Sequence, residues 1–258
     1  MIDAPPRPAR KLPVDIVVKR AFLYAWESRE VLLPPYLIYA ALTILADLII
    51  VHFVGPKNPQ PEQIVTFLEE LFALAFAVGV HRFVLLGEAR PGFAFFRWDR
   101  HFVRYVLITV LLLILMLAAA LPTASAALMG GPPNGAIVLL GTVTLFVAMM
   151  VLTRLSLLLP SAAVGDETRA RQIWEATQGN SLRMLAATLL TSLPFLIAEV
   201  ATLNLLPDDE TSLKAALVKI VLGLLAPVQT IVLSVMLALS YDLLVRGNGP
   251  VIIDRPRR

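Results

Sequence analysis

A few ionisable residues interrupt long apolar runs, and they are the groups best placed to do chemistry. Asp47, Glu69, Glu70, Glu199 and Lys219 each stand about five to eight residues inside such a run, roughly 10 Å deep at 1.5 Å per helical residue. A second set, His81, Arg82, Arg154 and Asp242, stands near the opposite ends of the runs. A charge in hydrocarbon costs roughly 2.5–3.5 kcal/mol on an insertion scale, so each group needs a partner, water or a ligand. For the first set the choices are a polar cavity for a cation, a proton or an amine, or internal pairing of Lys219 with Glu199 or Asp47. For the second set they are an ion pair from Arg154 or Arg82 to Asp242, or arginines that hold lipid phosphates together with Arg104 and Arg183. The planar guanidinium fork suits phosphate oxygens. Basic pockets between helices bind acidic headgroups. Internal pairing is the favoured reading in both layers, with Arg154 and Asp242 as the inner ion pair.

Composition narrows the chemistry further. Of 258 residues 58% are hydrophobic, and the mean hydropathy is +0.77, against about 45–50% apolar for an ordinary soluble domain. Cysteine is absent, which removes thiolate metal sites and a thiol nucleophile. His52, His81 and His101 lack zinc-motif spacing. Ser156, Ser161 and Ser181 have no base nearby in sequence. The run from Gly130 to Gly135 lacks the Lys and Ser/Thr context of a phosphate-cradling loop. The sequence therefore predicts no cofactor, no bound metal and no catalytic set. A lipid-acting enzyme would need His81, His101 and Asp242 to converge in an open pocket. Aromatics among the basic residues fit lipid headgroups better than nucleic acid.

The elements that must position these groups are six spans. Met1 to Pro13 is a Pro-rich basic arm, expected to be disordered. From Val14 the apolar spacing predicts a helix lying on the membrane surface. The spans are expected over Val31–Val54, Ile64–Leu86, Val103–Leu121, Ala136–Leu159, Leu182–Leu206 and Leu213–Val245. They form one domain over 14–245, followed by a basic tail over 246–258. In the second span Ala73, Ala77, Ala75 and Gly79 allow close helix approach. Phe93 to Arg104 reads as another interfacial helix, with Arg97, Arg100 and Arg104 on one face. Pro122 to Gly135 reads as a loop, and Ser181 as the cap of the fifth span. Only Lys57, Lys214 and Lys219 of the 22 lysines and arginines fall on one side of this layout. The positive-inside rule then puts both termini in the cytoplasm.

The three tryptophans mark a threefold repeat. Trp26, Trp98 and Trp174 each precede an arginine, Arg29, Arg104 or Arg183, that opens a pair of spans. Closing positions match too: His81-Arg82-Phe83, Thr153-Arg154-Leu155 and, in the last unit, Tyr241-Asp242. The expected fold is thus an all-α, polytopic membrane protein of three helix-pair repeats with interfacial helices. The run from Arg154 to Pro160, then Trp174, Thr177 to Asn180 and Arg183, resembles a bacterial inner-membrane family. That family includes the membrane domain fused to some glycerophosphodiester phosphodiesterases. The resemblance is clear over about 35 residues and loose beyond them, and the hydrolase domain has no counterpart. It implies a bacterial inner-membrane location and no activity. The expected role is a non-enzymatic, lipid-associated or interaction module whose partners are membrane lipids with anionic headgroups. The alternative is a transporter or channel for a small cation or a lipid-like molecule. No protein partner is readable.

Overall fold

The computed structural model describes residues 11–49, 59–128, 135–207 and 212–247. Most of the basic arm and tail, His52, Lys57 and parts of three expected loops lie outside the described residues. Those described are mostly helical, with no strand among them. Six helices are long and apolar enough to cross a membrane.

Helix α1 (Val14–Glu27) buries Val17, Ala21 and Tyr24 while leaving Ile16 and Trp26 exposed, as the apolar spacing requires. It is separated only by Ser28 from α2 (Arg29–Ile49). Helix α3 (Pro59–Leu86) is the second span. One of its small residues, Gly79, makes its close approach to something other than a helix. A side chain on Gly79 would run into the Phe95 carbonyl oxygen and ring. What packs here is a short 3-10 turn, Gly92–Phe95, rather than another span. The predicted interfacial helix over Phe93 to Arg104 is therefore corrected. Its first half is this turn. Phe96 is extended, and Asp99 accepts from the His101 and Phe102 amides at 2.9 and 3.2 Å to start α4 (Arg100–Leu128). An N-terminal carboxylate acceptor of this kind satisfies amides that have no helical partner.

Helix α4 also continues to Leu128, past the loop start expected at Pro122. Its Ala-rich end has high helix propensity, which offsets the lost proline hydrogen bond. Helix α5 (Gly135–Leu155) ends just after Arg154, and a two-residue break leads to α6 (Leu158–Val164), which is buried around Ser161, Ala162 and Ala163. The short α7 (Ala170–Ala176) carries Trp174. Asn180, not Ser181, precedes α8 (Ser181–Leu203) as its cap residue. The last helix, α9 (Leu213–Tyr241), is capped by Ser212 accepting from Ala215 at 3.2 Å, and a π turn over Asp242–Arg246 ends it.

Helix α9 is the hub. It packs against α1, α2, α3, α6 and α8, whereas α5 packs mainly on α4 and α8. Its buried residues run from Ala215 to Tyr241, are densest from Ile231 onward and include Pro227. In cyclic order the second helix of each pair touches the first of the next, α3 to α4, α5 to α8 and α9 to α2, as a threefold plan requires. The α3–α9 packing has no comparable α5 counterpart, so the symmetry is broken at the second pair.

Candidate functional site at the arginine-rich face

Segments distant in sequence meet at one end of the bundle. Leu12 donates its amide to Asn180 at 2.8 Å and accepts from Arg183 at 3.0 Å. Arg104 donates to the Asp166 carbonyl at 3.0 Å. The Asp166 carboxylate accepts from Tyr241 at 2.7 Å and from Arg246 at 3.0 and 3.1 Å. The N-terminal segment, the α6–α7 turn and the end of α9 thus share one face, as an even number of spans demands.

The arginines on this face fall into two kinds. Those that close a span are committed inward. Arg154 is 8% exposed. Its Nε donates to Thr177 Oγ1 at 2.8 Å, and an Nη donates to the Trp174 carbonyl. The guanidinium lies over the Trp174 ring, 3.6 Å from its centre. The expected Arg154–Asp242 ion pair is therefore corrected: the bonds of Arg154 go to Trp174 of α7 and to Thr177 just beyond it, and Asp242, itself 4% exposed, is not one of its partners. A last-turn carbonyl without a helical donor, at the negative end of a helix, is a strong acceptor for a guanidinium. Arg82 follows the same plan. It donates to the Ala163 carbonyl near the end of α6 at 2.8 Å, and grips Glu88 twice, at 2.6 and 3.1 Å. Arg97 joins the same carboxylate. The Arg82 hydrogen bonds hold the Glu88 carboxyl below the usual carboxylate range, against its partial burial. Burial raises the neighbouring Asp99, yet the Phe102 and His101 amides outweigh it and keep that group low as well.

The span-opening arginines are different. Arg29 donates to the Trp26 carbonyl at 3.2 Å and stacks 4.9 Å from that ring. Arg104 and Arg183 each donate to one carbonyl, of Asp166 and Leu12. None of the three meets a carboxylate among the described residues. A guanidinium has five N–H donors, so each keeps most of its capacity for an incoming acceptor. Of the arginines expected at phosphates, Arg104 and Arg183 remain open and Arg82 and Arg154 do not. Arg29 has the same character. Its place in the repeat was the signal that could have identified it.

The opposite layer is partly assembled. Asp47 on α2 lies within the field of Lys219 on α9, and Glu69 on α3 faces Asp47 and Glu70. At the arginine-rich end His81 is completely buried, its Nε2 3.4 Å from the Tyr105 hydroxyl and its Nδ1 without a partner among the described residues. His101 packs against the positive-φ Gly165. His81 and Asp242 are both buried, whereas the convergence expected of a lipid-acting enzyme requires them at an open pocket.

No protein-family model, curated protein or solved structure matches the chain.

Proposed function

We propose that this is a non-enzymatic, multi-pass protein of a bacterial inner membrane, with both termini cytosolic, that associates with anionic lipid headgroups along its arginine-rich face. The observation that carries the reading is the state of Arg29, Arg104 and Arg183. Each stands where a span opens, gives one hydrogen bond to a backbone carbonyl and meets no carboxylate among the described residues. Juxtamembrane arginines of this kind attract anionic lipids by about 1 kcal/mol each. Exposed Trp26, Trp98 and Trp174 accompany them, a residue type favoured at headgroup depth. The orientation rests on the charge asymmetry, and the location on the resemblance to the phosphodiesterase-associated membrane family.

Native mass spectrometry of the full chain, released by mild detergent from membranes containing phosphatidylglycerol, tests the proposal. The parent protein retains anionic lipid, and R29Q/R104Q/R183Q retains less. A parent that carries no lipid, or a triple variant that carries as much, contradicts it.

One observation favours a second reading, passage of a small cation. Asp47 and Glu69 outnumber Lys219 where α2, α3 and α9 meet. Cation flux into proteoliposomes that D47N abolishes supports this reading, and absence of flux removes it.

A further inference from the structure

The bend at Ser28 between α1 and α2 opens a groove of about 330 Å³, floored by α9. Its walls are apolar: Phe22 from α1, Leu33 from α2, and Val228 and Ile231 from α9. Tyr36 also lines it, but the Tyr36 hydroxyl is occupied by the Leu224 carbonyl at 3.2 Å. Arg29 is the one charged residue of the lining. It is held over Trp26 by stacking and by one hydrogen bond, in no ion pair among the described residues. The nearby Glu27 does not neutralise it, because that carboxylate is taken by Arg20 at 3.2 Å.

We infer that this groove is a binding site for one anionic glycerophospholipid of the leaflet on the basic side. An acyl chain lies between Leu33 and the Val228–Ile231 face of α9, and the phosphate meets the open donors of Arg29. The assignment rests on the lipid-associated reading above and deepens it. Three features select this occupant. The groove begins where an interfacial helix turns into a span, which is headgroup depth. Its interior is apolar and small, at the lower end of ligand-pocket volumes, which fits a chain better than a folded partner. The single uncompensated charge is a cation with a planar fork, which complements a phosphate. Trp26 both holds the guanidinium and lines the groove, so an occupant must come within reach of its ring.

That contact supplies the test. In a W98F/W174F background Trp26 is the sole tryptophan, and the full chain is reconstituted in phosphatidylcholine vesicles with phosphatidylglycerol carrying brominated chains. Quenching of Trp26 shows phosphatidylglycerol preferred over brominated phosphatidylcholine by about fivefold. R29Q brings the ratio to about one, and V228F lowers the maximal quenching by filling the groove. A ratio of about one with Arg29 present, or a preference that R29Q leaves intact, overturns the assignment. A W26F/W174F protein, reporting from Trp98, separates the two levels. Preference at Trp98 without preference at Trp26 removes the groove and leaves the general reading standing, while no preference at either removes both. Should the tryptophan variants fail to fold, native mass spectrometry of R29Q in the natural sequence decides. One fewer retained phosphatidylglycerol supports the site, and an unchanged count overturns it.

Discussion

Arg154 illustrates what a buried arginine does when no carboxylate faces it. Its charge is stabilised by a hydroxyl, a carbonyl and an aromatic face, from the short α7 and the Thr177 that follows it. Hydrogen bonds to a charged group contribute about 1.5–3 kcal/mol and a desolvated cation–π contact up to about 2, so R154A is expected to destabilise by about 2–4 kcal/mol. R154K keeps the charge but loses the fork and the stacking, and recovers less than half. Because Arg154 and Asp242 share no bond, losses from R154A and D242A add within about 0.5 kcal/mol in thermal or denaturant unfolding. A clearly smaller loss in the double variant would restore the ion pair.

Glu88 sets a pH dependence at the same scale. Its folded pKa is lowered by Arg82. Its contribution is therefore complete above the ordinary carboxylate value of about 4.3 and is lost as pH falls through the lower folded value. Unfolding midpoints measured from pH 7 downwards should drop in that acid window. E88Q should start lower at neutral pH and show a shallower acid fall, and an equally steep fall in E88Q would assign the dependence elsewhere.

Elements were legible wherever hydropathy decides them, and less so where one residue redirects the chain. The span Leu213–Val245 matches the observed α9 with its π turn because its long apolar run outweighs Lys219 and Pro227. Phe93 to Arg104 misled because arginines and aromatics at helical spacing hide a turn that Gly79 receives and an Asp99 that restarts the helix. The alanine and glycine pattern of α3 did announce close approach, but not by what. G79A tests the contact: an added methyl meets the Phe95 carbonyl and ring, so the 3-10 turn must move. A loss of about 1–3 kcal/mol is expected, measured as a lower unfolding midpoint, and a neutral G79A would show the turn to be loosely held.

Across the whole molecule, hydropathy carries information that needs no partner, which is why the layout of spans is readable. The site is not readable in the same way. Its bonds join Arg82 to Ala163, Arg183 to Leu12 and Arg246 to Asp166, pairs that no local pattern relates. Which arginines remain open depends on those bonds. The absence of native cysteine makes the orientation directly testable. In intact cells an impermeant maleimide should label K214C and should reach R171C only after permeabilisation, whereas the reverse would invert the proposed topology.

The proposed division of the arginines is into inward braces and outward lipid contacts. It is tested most directly by measuring unfolding midpoint and retained phosphatidylglycerol together in R29Q/R104Q/R183Q and in R82Q/R154Q. The first variant is expected to lose lipid with little change in midpoint, while the second loses stability and, when folded, keeps its lipid. The opposite pairing, or lipid loss equal in the two, would contradict it.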